Sequence, residues 1–169
     1  MTPQPTGRHV RRDTLDAVAF DRTFRAPIED VWAAVTESER LARWFGPWAG
    51  DPASGRVSVQ MTAEGEGPAE IFHIEACEPP RHLRVRSDVP DPAQAWTLDL
   101  ELTEAGDVTL LRFAQLIDDP ALVPDVGPGW QFYLDRLDVA FAGGDADSMS
   151  WDDYPQHGPH YAREFGLPS

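Results

Sequence analysis

The five histidines and the cysteine are the residues whose types could carry acid–base, nucleophilic or metal chemistry. Near the C-terminus, His157 and His160 follow two aspartates. Their spacing crosses Gly158 and a proline, so the two rings cannot face one metal ion from one side of a helix. Cys77 has no motif that would place a histidine and a carboxylate around it, and we interpret it as a buried, inert thiol. We therefore predict no catalytic residue and no metal-binding residue.

Two further histidines lie in the strand-rich middle of the chain. The alternation around His73 places Phe72 and Ile74 on the inner face of a strand, and His73 and Glu75 on its outer face. His82 follows a proline-rich turn, where we expect it to be solvated. An enzymatic function would need one of these groups, or another titratable group, to point inward with a shifted pKa.

All 14 basic residues are arginines, and the sequence contains neither lysine nor asparagine. Without a side-chain amine the protein cannot form a Schiff base or a P-loop phosphate site, and we predict no cofactor. The 29 acidic residues bring the formal charge to −15 at pH 7. This charge repels phosphate backbones and anionic lipid headgroups, so we expect neither nucleic acid nor a membrane as a partner.

The N-terminal segment carries arginines but no apolar stretch of the kind found in a signal peptide. No other run approaches the roughly 18 apolar residues of a membrane span. One cysteine can form no internal disulfide. From these features we expect a cytoplasmic protein.

The pattern of apolar and polar residues divides the chain into three parts. Residues 1–13 have no periodic apolar signal and are predicted to be a disordered lead-in. Residues 14–144 are predicted to form one domain, in which a strand and two short helices precede a meander of five strands and a long helix at about 129–142. Residues 145–169 are an acidic, aromatic tail, which we expect to be solvated around its histidines.

This order of elements is typical of an α+β domain rather than of a series of strand–helix–strand units. An antiparallel sheet with one apolar face needs a cover, and the last helix is the only long one predicted. We therefore predict a curved six-strand antiparallel sheet wrapped on a long C-terminal helix, with two short helices after the first strand. Strong curvature leaves a space between the sheet and the helix, and that space is the candidate functional site.

Four segments resemble one known family in the same order along the chain. They are FRAPIEDVWAAVTESERLARWFGPW at 24–48, HIEACEPPRHLRVRS at 73–87, LDLELTEAGDVTLLRF at 98–113 and GPGWQFYLDRLDVAFAGG at 127–144. These segments are similar to the SRPBCC superfamily, in particular its activator of Hsp90 ATPase homolog 1-like branch. The resemblance implies a START-like helix-grip fold with a deep hydrophobic cavity. It implies no single function, because members bind lipids, hormones or polyketides, act as aromatase/cyclases, or stimulate the ATPase of a chaperone.

Residues on the inward faces of the predicted elements form the expected ligand site. The aromatic residues among them could stack on a flat apolar ligand or could simply fill the core. Gln115 is expected to be a polar hook, that is, a side chain that hydrogen-bonds the ligand, although related sequences commonly carry a histidine there. Trp44 is expected near the entrance of the cavity. Arg22 lies on the same face of its strand as the apolar residues that point inward. A buried arginine needs a partner, so Arg22 either pairs with a carboxylate of the protein or binds an anionic group of a ligand. The ligand-binding residues that we predict are Trp44, Phe72, Trp96, Leu98, Phe113, Gln115, Trp130, Tyr133, Leu134 and Leu137.

We expect the protein to bind a small, largely hydrophobic molecule in the cavity between the sheet and the C-terminal helix. The alternative is a polyketide cyclase/aromatase-like enzyme that uses the same cavity. Whether any reaction is catalysed stays open, and a non-catalytic role is favoured. An Hsp90 co-chaperone-like role is the least favoured, because it normally needs additional partner-binding sequence. The tail could pack on its own domain or on a second subunit, so a homodimer also stays open.

Overall fold

The computed structural model describes residues 4–12, 14–62, 67–91 and 94–168. The strands are β1 (Arg8–Arg12), β2 (Leu15–Phe24), β3 (Trp48–Ala49), β4 (Arg56–Val59), β5 (Glu70–Glu78), β6 (His82–Ser87), β7 (Thr97–Ala105) and β8 (Val108–Ile117). They form one antiparallel sheet in the order β1-β2-β8-β7-β6-β5-β4-β3. The helices are α1 (Ile28–Thr36), α2 (Ser38–Leu41), α3 (Val123–Phe141) and α4 (Gly158–Glu164). The predicted α+β class is confirmed.

The described part of the chain has eight strands where the sequence predicted six, the additional ones being β1 and β3. Strand β1 lies within the predicted disordered lead-in 1–13, of which residues 1–3 and 13 are outside the described residues. Arg8–Arg12 pairs with β2 along its whole length, and Val10 packs on buried alanines of β2 and β8. Those small side chains on the outer face of the sheet need a cover. The burial of these alanines stabilises β1, although β1 is too short for an alternating apolar pattern to be visible in its sequence.

Helix α3 begins at Val123, well before the predicted start near residue 129. Pro124 lies in the first turn, where the amide that proline lacks would have no helical partner. Pro128 lies inside the helix and cannot donate to the carbonyl of Pro124. That carbonyl oxygen faces Gly158, where a Cβ would lie 3.1 Å away. Both prolines are therefore part of the helix.

The C-terminal segment (145–168) packs on the domain and is not a solvated tail. Tyr161 on α4 is fully buried. Its hydroxyl donates to Gln131 Oε1 at 2.7 Å and accepts from the amide of Gly7 at 3.1 Å. A Cβ on Gly127 would lie 2.4 Å from Tyr161 Cγ, so the ring needs a glycine at this point of α3. The segment thus joins both ends of the chain to α3.

Both histidines of the C-terminal segment were predicted to be solvated, and this prediction was wrong. His157 is buried, with its ring against that of Tyr154. His160 Nε2 lies 2.9 Å from the carbonyl oxygen of Gly7, at the other end of the chain. His160 is partly buried, and its partner is distant in sequence, which local polarity does not report.

The hydrophobic core lies between the inner face of the sheet and the helices α1 and α3. Leu134 and Leu137 on α3 and Phe20 on β2 are fully buried members of this core. In the part of the chain that the structure describes, no helix has both the length and the apolar character that crossing a membrane requires.

Candidate functional site

An apolar cavity of about 240 Å³ lies between the inner face of the sheet and the corner formed by α1, α2 and β3. We expected it under the long C-terminal helix, but Trp130 is the one described residue of α3 that lines it. Leu134 and Leu137 fill the space under the rest of that helix. The lining residues are Trp32, Val35, Thr36, Leu41, Trp44, Phe45, Trp48, Pro52, Val57, Val59, Phe72, Ile74, Cys77, Leu83, Val85, Leu98, Leu100, Phe113 and Trp130.

Two tryptophans of the α2–β3 corner are held against the last turn of α1. The indole N–H of Trp44 donates to the carbonyl of Ala34 at 3.0 Å, and that of Trp48 donates to the carbonyl of Thr36 at 2.7 Å. These bonds satisfy carbonyls that a helix end leaves without intrahelical donors. Trp44 is only 4% exposed, so it lies inside the cavity wall and not at the expected entrance.

A close approach of two backbones holds this corner on the sheet. The Gln60 amide donates to the carbonyl of Pro47 at 2.9 Å. A Cβ on Gly46 would lie 1.6 Å from the carbonyl oxygen of Gln60, so only glycine fits there. Gly46 therefore sets how closely the aromatic corner approaches the end of β4.

A β-bulge brings Cys77 to the cavity. The register of β5 against β6 shifts between Ile74 and Ala76. Ile74 and Cys77 would point to opposite faces of a regular strand, but the extra residue of a bulge lets both line the cavity. Cys77 is exposed, so the prediction of a buried thiol was wrong. Together with the exposed Pro52, it marks the mouth of the cavity.

Trp130 forms the inner end of the cavity. Its ring stacks on Phe45, with centroids 5.7 Å apart and 15° between the planes, and contacts Phe113 with centroids 4.6 Å apart. Its indole N–H donates to Gln115 Oε1. Gln115 is buried and orients the indole, and it does not line the cavity as the expected polar hook.

The structure brings half of the predicted ligand residues to the cavity. Trp96 and Tyr133 instead contact the ring of Trp130, with centroid distances of 5.9 and 5.6 Å. Leu134 and Leu137 are 0% and 1% exposed and belong to the solid core. The predicted residues that line the cavity are Trp44, Phe72, Leu98, Phe113 and Trp130.

Many of the lining residues were not predicted from the sequence. Strand alternation could have identified Val57 and Val59 on β4 and Leu83 and Val85 on β6, since their parity puts them on the inner face. Trp32 on α1 also lines the cavity. No local pattern distinguishes a helical residue that packs against the sheet from one that faces a space.

Arg22 lies outside the cavity wall and pairs with α3. Its Nη2 is 2.8 Å from Asp135 Oδ1, and its Nε is 3.1 Å from Asp138 Oδ2. The hydroxyl of Tyr154 donates to Asp135 Oδ2 at 2.8 Å. Burial raises the pKa of Asp138 to about 6, although the attraction of Arg22 opposes the shift. Of the two roles open to Arg22, the structure therefore contains the carboxylate pairing.

A cluster on the outer face of the sheet has the composition of a metal site. His82, Asp99 and Glu101 place one ligand atom each within 4.8 Å of one another. The guanidinium of Arg12 contacts both carboxylates, and His82 Nε2 contacts Asp99. Because the arginine already supplies the positive charge that a metal ion would bring, we interpret the cluster as an ion-paired link between β1 and β7. His82, expected to be solvated, is partly buried within it.

The antiparallel sheet, the long C-terminal helix and the apolar cavity define a protein of the SRPBCC, helix-grip type. The family model described as activator of Hsp90 ATPase homolog 1-like protein matches residues 25–142, and the chain belongs to this family. The resemblance noted from the four sequence segments is thereby confirmed. No curated protein matches the sequence.

Solved structures support the same fold. CalU16 from Micromonospora echinospora is 26% identical, with 94% of each chain covered and a TM-score of 0.72. EF2215 from Enterococcus faecalis, a conserved protein of unknown function, is 18% identical over 96% of this chain and 92% of its own, with a TM-score of 0.70. DynU16, a putative protein in the dynemicin biosynthetic locus, is 20% identical over 77% of this chain and 49% of its own, with a TM-score of 0.57.

Proposed function

We propose that this protein binds a small, largely hydrophobic molecule non-covalently in the cavity. The observation that carries the proposal is a space of about 240 Å³ that is lined mostly by apolar side chains and opens at one end. Protein interiors are close-packed and hold few voids larger than a water molecule. An apolar cavity of roughly 150 Å³ binds benzene, so the larger cavity here suits a molecule of two or three rings.

The chemistry of the wall favours binding over catalysis. None of the described lining residues carries a carboxylate, an imidazole or a guanidinium. General acid–base catalysis needs a titratable group within hydrogen-bond reach of the reacting atom. The free thiol of Cys77 at the mouth is the one such group on the described wall, so the cyclase/aromatase-like alternative would have to use this thiol or bring a group from outside the wall.

A cavity-filling variant tests the proposal. The neutral fluorescent probe N-phenyl-1-naphthylamine is titrated with the wild-type protein and with Val85→Trp, which adds an indole to the cavity wall. We expect saturable, 1:1 binding to the wild type and at least tenfold weaker binding to Val85→Trp, because the indole occupies the space of the ligand.

The matched control is Ser58→Trp. Ser58 lies on β4 between two residues that line the cavity, so its side chain points to the outer face of the sheet. We expect its affinity for the probe to stay within twofold of the wild type, provided that circular dichroism shows both variants folded. Equal affinities of all three proteins, or no saturable binding to the wild type, would contradict the proposal.

A further inference from the structure

Four polar side chains of the cavity wall are already bonded to the protein itself. The indole N–H groups of Trp44 and Trp48 donate to carbonyls of α1, and that of Trp130 donates to a glutamine. The hydroxyl of Thr36 donates to the carbonyl of Trp32 at 2.6 Å. Among these groups, none keeps a donor hydrogen for a ligand. An acceptor placed against these four groups would therefore lose its bonds to water and gain none. The other two polar side chains of the described wall are the indole of Trp32 and the thiol of Cys77, and neither is a cation that could pair with a carboxylate.

The two buried arginines near the core already have partners within the protein. Arg22 pairs with two aspartates of α3. Arg136 donates from Nε to the carbonyl of Trp44 at 2.9 Å, from Nη1 to the carbonyl of Ala146 at 2.8 Å and from Nη2 to Asp147 at 2.9 Å. Neither lines the cavity, so no cation meets an acidic ligand there.

We propose that the cavity selects uncharged ligands and rejects both carboxylates and ammonium groups. This inference rests on the proposed function and names the class of ligand. Burying an unpaired charge in an apolar site costs far more than burying a methyl group. A two-ring ligand is smaller than the cavity. Such a ligand can therefore bind in two ways. It can bury its charged substituent, or it can keep that substituent at the mouth and leave the inner end beside Trp130 unfilled, and either way its affinity is lower than that of an uncharged ligand.

Three ligands of the same shape test the proposal. They are 2-methylnaphthalene, 2-naphthoate and protonated 2-naphthylmethylamine, and their affinities are measured by isothermal titration calorimetry at pH 7. Sodium chloride at about 0.5 M shortens the Debye length to under about 5 Å and suppresses the attraction or repulsion of distant surface charges. We expect both charged ligands to bind at least tenfold more weakly than 2-methylnaphthalene.

The cation is the control for the net charge of −15. If surface repulsion alone weakened 2-naphthoate, the ammonium ligand would bind as tightly as the hydrocarbon. A difference of less than tenfold for either charged ligand would overturn the inference and leave the proposed function intact. If none of the three ligands binds, the proposed function itself fails.

A partner for the carboxylate can be introduced at the mouth. Cys77 lines the cavity and is exposed, so an arginine at this position can reach both solvent and ligand. We expect Cys77→Arg to raise the ratio of the affinity for 2-naphthoate to the affinity for 2-methylnaphthalene at least fivefold. Cys77→Gln, which is polar but neutral, is the control. An unchanged ratio of the two affinities in Cys77→Arg would contradict the view that the wall rejects carboxylates because it lacks a partner for them.

Discussion

The two ends of the inner face of the sheet are built in opposite ways. At the packed end, the core around Leu134, Leu137 and Phe20 is solid, and the C-terminal segment covers α3 from the outside. At the open end, the residues that line the cavity include partly buried side chains such as Leu83 and Val85. The chain thus fills one end with its own residues and leaves a cavity at the other end.

The polar groups are divided in the same way. Arg22 and its two aspartates, Tyr154 and the Gln131–Tyr161 pair all lie at the packed end. These groups form directional bonds between the N-terminal strands, α3 and the C-terminal segment. The cavity wall has apolar side chains in their place. We infer that the packed end determines stability and the open end determines ligand recognition, and this difference can be tested by mutation.

The largest contrast is expected from leucine truncations at the two ends. Leu134→Ala leaves a new cavity in the solid core and should reduce the free energy of unfolding by about 4 kcal/mol. Leu83→Ala removes a half-buried side chain beside an existing space and should cost about 1 kcal/mol. Urea unfolding of both variants measures the difference. Equal losses would show that the two ends are packed alike.

Removing the arginine of the packed end should have the next largest effect. Arg22→Ala leaves Asp135 and Asp138 without their cation and should cost about 3 kcal/mol. Arg25→Ala, at an exposed position just beyond the same strand, should change the unfolding free energy by less than about 0.5 kcal/mol. Binding of N-phenyl-1-naphthylamine should stay within twofold of the wild type in both variants. A loss of binding in folded Arg22→Ala would contradict the separation of the two ends.

The hydroxyl of Tyr161 should contribute less. Tyr161→Phe keeps the buried ring but leaves the amide of Gly7 without its acceptor and removes a bond to Gln131. We expect a loss of about 2 kcal/mol in urea unfolding, because a buried amide without a partner carries its full desolvation cost. A variant as stable as the wild type would show that the C-terminal segment is held by ring packing alone.

The smallest effect is a pH dependence. The pKa of Asp138 is raised from 3.8 to about 6 in the folded protein. Between these values the folded state holds a proton that the unfolded state has released, so the contribution of Asp138 to the unfolding free energy falls as pH rises and levels off above about 6. The stability of the wild type relative to Asp138→Asn should therefore decrease from pH 4 to pH 6. Parallel pH curves of the two proteins in urea unfolding would contradict this.

Much of the fold follows from local patterns. The alternation on β5, β7 and β8 correctly placed Phe72, Leu98 and Phe113 on the inner face, since side chains of a strand alternate between faces. The helical period of α3 correctly grouped Trp130 with Leu134 and Leu137 on one buried face. Strand order and the helix-grip arrangement then follow from the family resemblance.

The remaining features depend on contacts that no local pattern reports. Helical periodicity defines the buried face of α3, but it does not show which turns of the helix pack against other side chains and which face a space. The sequence therefore could not show that Trp130 lines the cavity and that Leu134 lies in the solid core. One bulge residue reversed the face of Cys77. The burial of Tyr161 needs Gly7 and Gly127, which are far away in sequence. The homodimer and the cytoplasmic location stay predictions.

The most direct test of the central claim is to locate a bound ligand by nuclear magnetic resonance. Intermolecular nuclear Overhauser effects are recorded between 2-methylnaphthalene and methyl groups of the labelled protein. We predict contacts with the methyl groups of Val57, Leu83 and Val85 at the open end and none with those of Leu134 or Leu137. Contacts with the two leucines of α3, or no contacts with the three open-end residues, would contradict the claim that the ligand site lies at the open end of the sheet.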